Sequence, residues 1–278
     1  MSRMIRLQAL RWMLTAVFAC LGVIMILPFL WMTSSSFKLP SEMFRTPIDW
    51  IPDRFYFDSY KEVWLGKYPF ALYYWNSIKI TALTVLGTLA TSAMAGFAFA
   101  KLRFKGKDAL FLIYLSTMII PAQILLVPRF VLFDRLHLVD SHWAIILPGM
   151  FSVLGTFIMR QFFSTLPNEL LEAAKVDGAG IFRTFWQVCL PLTKPALVSL
   201  LILSFTWHWN EYEMPLILLR SKERYTLPLA LTNFVDENTT NYTAIMAASV
   251  SALLPLIVLV AIFQRWFVEG IVSSGVKG

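Results

Sequence analysis

Six apolar stretches separated by polar ones set the pattern of this chain. They run roughly over residues 12–33, 74–100, 110–132, 143–163, 196–219 and 244–265. Each has about the 20 residues a helix needs to cross a hydrocarbon core of about 30 Å. Lipid offers no partner for backbone N–H and C=O groups, so all six are predicted as α-helices. The third is interrupted by Pro121 and Pro128. Proline removes a backbone donor and kinks a helix. Such a break either lines a cavity, as interrupted helices in transporters do, or is a kink absorbed by packing. The first stretch follows Arg3, Arg6 and Arg11 and stays apolar from Trp12 to Trp31. That is longer than a signal-peptide core and lacks a small-residue cleavage site, so it reads as a retained span.

The polar segments differ in kind. Residues 34–73 carry the aromatics Trp50, Phe55, Tyr56, Phe57 and Trp64 among charges and prolines. A disordered linker is poorer in aromatics, so a small folded cap is expected there. Three regions follow: residues 1–73 as first span and outer loop, residues 74–265 as the membrane core with a polar loop at 164–195, and residues 266–278 as a tail. Trp31, Tyr73, Tyr74, Trp75 and Trp143 fall at span ends, where aromatic belts form.

Composition sharpens the class. The 278 residues are 58% hydrophobic and only 15% charged, against about 25% charged in soluble domains. Mean hydropathy is +0.64. The net charge of +7 reads as a topology signal. With the N-terminus inside, Arg3, Arg6, Arg11, Lys101, Arg103, Lys105, Lys107, Arg160, Lys175, Arg183, Lys194, Arg265 and Lys277 fall on the inner side, against Asp108, Glu169, Glu172, Asp177 and Glu269. The remaining charges nearly cancel. An excess of Lys and Arg marks the cytoplasmic side, and nucleic acid is not needed to explain the charge. Cys20 and Cys189 show no zinc-ligand spacing, and His137, His142 and His208 are scattered; no metal site is expected.

The segment 164–195 is then cytoplasmic. Asn168 is placed to cap a helix over 169–177, with Glu169 in its first turn favoured by the helix dipole. Gly178 suits a left-handed C-terminal position. A second short helix is expected from about Gly180 to Val188, ending before Pro191, with Phe182, Phe185 and Trp186 on one side. A helix this short is marginal in water. It either folds back on its own helix ends or docks on a partner, for which exposed aromatics are natural anchors.

The run Glu172-Ala173-Ala174-Lys175-Val176-Asp177-Gly178, followed at nine residues by Val188-Cys189-Leu190-Pro191, resembles the EAA loop of the integral membrane permease subunits of bacterial ABC importers. Val188 stands where the family usually has Ile. Ala95-Gly96-Phe97-Ala98-Phe99-Ala100-Lys101-Leu102-Arg103-Phe104, Trp209-Asn210-Glu211-Tyr212 with Pro215-Leu216, and the terminal Gly270 to Gly278 run resemble segments of carbohydrate-type permeases. The smaller permease subunit of maltose-type importers is the nearest kind. The resemblance covers most of the chain from about residue 76 onward. It implies an all-α, six-span protein of the bacterial inner membrane, with both termini cytoplasmic and the coupling loop between spans four and five. It implies partners: a second homologous permease, two ATP-binding subunits and an extracytoplasmic solute-binding protein. ATP and Mg would be used by the partner ATPase, with no cofactor on this chain. It implies that Glu172, Ala173, Ala174, Asp177, Gly178, Phe182, Phe185, Leu190 and Pro191 couple to that ATPase. Glu172 would pair with a cation, Ala173 and Ala174 would allow close approach, and Lys277 would reach into the ATPase dimer.

Several chemistries are missing. No phosphate-cradling G-x-x-x-x-G-K-[ST] loop, H-E-x-x-H or G-x-S-x-G occurs, so energy must come from another polypeptide and no catalytic residue is assigned. Glu211 and Glu213 fall in the outer part of the fifth stretch. With Trp207, Trp209 and Asn210, Glu211 either lines a solute path, where carboxylates, amides and aromatic faces suit sugars, or sits at the headgroups. Acids at membrane depth usually face protein or water. The rival function is an ion-gradient-driven secondary transporter, which predicts repeated halves and intramembrane charge relays; neither is evident. An ABC permease for a non-sugar solute is the other alternative.

Overall fold

A computed structural model describes residues 2–47, 49–234 and 241–275, and all regular structure among them is helical. In chain order the helices are α1 Ser2–Ser35, α2 Asp58–Leu65, α3 Phe70–Lys101, α4 Lys107–Ser116, α5 Leu126–Arg135, α6 Trp143–Gly149, α7 Val153–Thr165, α8 Glu169–Val176, α9 Ile181–Leu192, α10 Lys194–Trp209, α11 Glu213–Leu218 and α12 Tyr242–Gly275. Shorter helical turns join some of them. Four helical segments are long and apolar enough to cross a membrane: Leu10–Ser35, Phe70–Lys101, Trp143–Thr165 and Tyr242–Trp266. Two bent pairs could bring the number to six: Lys107–Ile119 with Ala122–Arg135 at 89°, and Ile181–Leu192 with Lys194–Trp209 at 78°.

The third stretch breaks within the interruption its prolines predict, whereas the fifth, expected to run on, is broken beyond Trp209. In the third, Pro121 is the break and Pro128 is not. Ile120, just before Pro121, is driven out of the helical region to ψ 116, and Pro121 follows at ψ 132, as the pre-proline clash requires. Pro128 is the third residue of α5, where its missing N–H would have had no helical partner anyway. In the fifth, the helix stops at Trp209 instead of running to 219. A continuous helix would need the Pro215 nitrogen to bond the Glu211 carbonyl, and proline has no such donor. The chain instead restarts as α11, with Pro215 in its first turn.

The chain separates into two compact units, Met1–Phe70 with Leu231–Leu253, and Ala71–Ala230 with Leu254–Gly278. In the first, the folded segment expected after the first span is present. Phe37 is ringed by Phe55, Phe57 and Tyr60 at 5.6, 5.4 and 5.1 Å between centroids. Buried Lys38 gives its ammonium to the Asp49 carbonyl, and Ser34 donates to the Trp50 carbonyl at 2.6 Å. Helix α2 meets the start of α12 through Trp64, whose Nε1 donates to Ser251 at 3.3 Å, and through Glu62, which accepts from Asn241 at 2.7 Å. Helix α1 leaves Trp12, Phe18 and Met25 exposed, a surface suited to lipid.

The second unit is built on close helix contact. A Cβ added at Gly96 of α3 would lie 2.6 Å from the Met159 Cβ and 2.8 Å from the Arg160 nitrogen of α7. One at Gly155 would lie 2.5 Å from the Ser92 hydroxyl. Small residues bring membrane helices together where no hydrophobic drive does. The break between α6 and α7 is supplied with partners by α3. Thr88 donates to the Gly149 carbonyl at 2.8 Å, and Thr91 donates to the Met150 carbonyl. Ser152 then caps α7 by accepting from the Gly155 N–H at 2.9 Å. Broken helices are tolerated at membrane depth when neighbours satisfy the freed groups in this way.

Gly96→Ala should therefore destabilise the subunit by about 1–3 kcal/mol through overpacking. Gly22→Ala, with nothing within 4 Å of the added carbon, should be neutral or slightly stabilising. Thermal unfolding of both variants in detergent checks the contrast.

Candidate functional site

Helix α8 ends in a left-handed glycine, as the sequence predicts. Gly178 has φ +76. Its N–H donates to the Lys175 carbonyl at 3.0 Å, and the Ala179 N–H donates to the Ala174 carbonyl at 2.8 Å. This paired closure uses carbonyls that a helix end otherwise leaves unsatisfied, and it turns the chain sharply into α9. Asn168 does not cap α8 as expected. Its side-chain oxygen accepts instead from the Lys101 ammonium at 2.9 Å, and Lys101 also donates to the Leu166 carbonyl at 2.6 Å. The last residue of α3 thus holds the α7–α8 junction from two sides.

The second short helix does not end before Pro191. Helix α9 runs through it to Leu192, with a π-helical segment over Thr184–Cys189. Proline cannot accept the ordinary i→i−4 pattern, and the wider π turn leads into it. That turn also separates the aromatics expected on one side. Phe182 is 77% exposed and Trp186 55%, but Phe185 only 4%. Phe185 sits between Phe97 of α3 and Phe163 of α7, with centroids at 5.1 and 6.2 Å. Around it, Ala93, Met159, Cys189, Ala196 and Leu200 complete a buried cluster, on which Leu171, Leu166 and Leu190 pack. The α8–α9 hairpin therefore has a buried base and an exposed crest. Ala174, Phe185, Cys189 and Leu190 belong to the base, whereas Glu172, Ala173, Asp177, Phe182 and Pro191 are exposed. Val176 and Ile181 are exposed beside them. Lys277 lies outside the described residues.

The opposite end of α3 is about 37 Å away at ~1.5 Å per residue. There Asn76 donates to the Glu223 and Tyr225 carbonyls at 2.9 and 3.1 Å, and the Ser77 hydroxyl accepts the Leu227 N–H at 2.7 Å. Asp140, at φ 62, secures the same loop. Its carboxylate accepts the N–H groups of Arg220 and Ser221, both at 3.0 Å, and the Ser221 hydroxyl, with Arg224 at 3.9 Å. Burial alone would raise the Asp140 carboxyl, but these donors and the Arg224 cation outweigh it and lower it to about 2. His142 accompanies it, its Nε2 donating to the Arg224 carbonyl at 2.9 Å.

The four residues considered for a solute path lie at this end, and Trp209 is the buried one among them. Trp209 is 3% exposed, stacked on Phe205 at 5.5 Å and edge-on to Tyr74 at 5.7 Å. Trp207 is exposed. Asn210 donates to the Thr206 carbonyl at 2.8 Å, closing α10. Glu211 lies beyond that helix, not within it, and accepts the Met214 N–H at 3.1 Å at the start of α11. Sequence reasoning missed Asp140 and the tie made by Lys101. Lys101 stood in a cation cluster readable only as a topology marker, and no pattern distinguishes Asp140 from any polar loop residue.

Residues 73–273 match the family described as binding-protein-dependent transport system inner membrane component. The arabinooligosaccharide transport system permease protein of Bacillus subtilis (strain 168) is 35% identical over 267 residues, 95% of each chain. The sn-glycerol-3-phosphate transport system permease protein of Yersinia pestis bv. Antiqua (strain Antiqua) is 32% identical, covering 91% of this chain and 93% of that one. A chain from the crystal structure of a bacterial ABC transporter involved in the import of the acidic polysaccharide alginate superposes with TM-score 0.82 at 24% identity, over 91% of this chain and 94% of that one. That likeness supports the fold.

Because the folded carboxyl of Asp140 lies below the ordinary value of about 3.9, its stabilising contribution is present above that value and lost as pH falls through about 2. Asp140→Asn should lower the melting temperature of the detergent-solubilised subunit by a constant amount between pH 7 and about pH 5. The difference should shrink only on further acidification. A difference that disappears already near pH 6 would contradict this assignment.

Proposed function

The chain belongs to the binding-protein-dependent transport system inner membrane component family, and we propose that it is the carbohydrate-conducting permease subunit of an ATP-driven ABC importer in the bacterial inner membrane. Oligosaccharides are the solute class in the names of two of its relatives, and sn-glycerol-3-phosphate is the solute in that of another. The observation that carries the coupling role is the α8–α9 hairpin, exposed at its crest and buried at its base. Glu172 and Ala173 on the crest are free to meet a separate ATP-binding subunit, while Phe185 in the base touches both α3 and α7. A push on the crest is thereby delivered to the transmembrane helices.

In this reading the hairpin, α9 included, and both termini are cytoplasmic, and six spans cross the membrane, the third of them bent at Pro121 and the fifth beginning with α10. The orientation is supported by the gathering of Lys101, Arg103, Lys105 and Lys107 at the end of α3 that holds the hairpin. Two ATP-binding subunits use ATP and Mg. A second homologous permease completes the path, and an extracytoplasmic solute-binding protein delivers the sugar. Closure of the ATPases moves the hairpins, and the helices rock between inward-open and outward-open states as rigid bodies. Access alternates because a continuous pore would leak solute.

Glu172→Ala should lower ATP-driven uptake at least about tenfold, equivalent to ~1.4 kcal/mol of lost coupling, with the subunit still inserted in the membrane. Gly178→Pro should do the same, since proline cannot adopt φ +76. Uptake assays on vesicles with matched subunit levels read both; normal transport by the two variants would sink the coupling role. At the far end, Glu211→Gln should leave apparent affinity unchanged if its hydrogen bond to Met214 is its whole purpose. A shift in KM would put it on the solute path.

A further inference from the structure

We propose that the loop between α3 and α4 is a binding site for the headgroup of an anionic phospholipid. Arg103, Lys105 and Lys107 lie within five positions there, and none of the three forms an ion pair among the described residues. The neighbouring charges are already engaged. Lys101 is held by Leu166 and Asn168, and Asp108 pairs with Arg160 at 3.3 Å. Among the described residues, the three cations therefore have no ion-pair partner.

Their arrangement favours a lipid over a soluble anion. Gly106, at φ +76, turns the loop back on itself, and Arg103, Phe104, Lys105 and Lys107 line one open cleft of roughly 570 Å³, together with Asp108, whose carboxylate is paired with Arg160. Phe104 is 43% exposed, an apolar group placed among the charges. Directly after the cleft, α4 presents an exposed apolar surface with Leu110, Leu112 and Ile113. A phosphate with acyl chains attached matches both features: the cations take the phosphate, and Phe104 with the α4 surface takes the chain. Cations beside a span attract anionic lipid in this way, and the attraction weakens within a Debye length. A topology signal alone needs only the charges, not a shared cleft beside an apolar face.

The inference rests on the orientation that puts this loop at the cytoplasmic surface. The test starts from the intact transporter, extracted gently from its membrane and exchanged into nanodiscs of mixed phosphatidylglycerol and phosphatidylcholine. Mass spectrometry then counts the lipids that stay with the complex on re-extraction. The wild type should retain phosphatidylglycerol preferentially. The triple variant Arg103→Gln, Lys105→Gln, Lys107→Gln should lose about tenfold of that preference, and the charge-conserving set Arg103→Lys, Lys105→Arg, Lys107→Arg should keep it. Because removing three cations can disturb insertion, the single variant Lys105→Gln is measured alongside and should show a partial loss. Unchanged retention in the Gln variants, or no preference in the wild type, overturns the site. Labelling of Lys105→Cys by a membrane-impermeant maleimide in vesicles of either sidedness reports the orientation separately, so failure of one is not mistaken for failure of the other.

Discussion

The wedge of Phe185 between Phe97 and Phe163 is the contact on which the rest of this molecule depends. It joins the polar hairpin to α3 and α7, two helices well separated from each other along the chain. Aromatic side chains bring large buried area and a preferred geometry, so one ring here fixes the angle of α9 against both partners. Cys189, one helical turn on, is fully buried in the same cluster, and Ala196 and Leu200 extend it into α10. Lys101 closes the remaining side by holding the Leu166 carbonyl and Asn168. The hairpin is thus tethered to α3, α7 and α10 at once, and well-packed interiors transmit displacement instead of absorbing it.

The membrane helices obey a second constraint, the need to satisfy every backbone group without water. Where the chain breaks, a neighbour supplies the partner. Thr88 and Thr91 of α3 meet the carbonyls that α6 leaves open. The amide of Asn210 takes the Thr206 carbonyl at the end of α10. The loops at the far end are bound by Asp140, Asn76 and Ser77. Glycine contact between α3 and α7 lies between these two secured ends, so α3 behaves as a strut: its one end holds the hairpin and its other end holds the loops beyond α10 and α11.

Much of this architecture is written in the chain as contiguous apolar length. Four of the six stretches need only their hydropathy to be placed, because lipid imposes both helix and length on them. Gly178 was equally readable, since a polar helix ending in glycine has few other closures. The breaks were harder. Pro121 and Pro128 look alike in sequence, yet only one interrupts a helix, because the cost of a proline depends on how far from the helix start it falls. The direction of Phe185 was hidden for a similar reason. An α-helical count groups it with Phe182 and Trp186, and the π turn rotates it inward. The ties made by Asp140 and Lys101 join residues more than 60 positions apart, which no local pattern can announce.

The central claim is that the hairpin moves as one body with the helices it touches. Spin labels at Ala173 on the crest of α8 and at Gln161 on α7, placed in the assembled transporter, test it by pulsed electron resonance. The account predicts that the distance between them stays the same with and without ATP, while a pair reporting across the solute path changes. A hairpin-to-α7 distance that shifts on ATP binding, with the transmembrane pair unmoved, would show that the crest swings on a flexible base and would contradict the account.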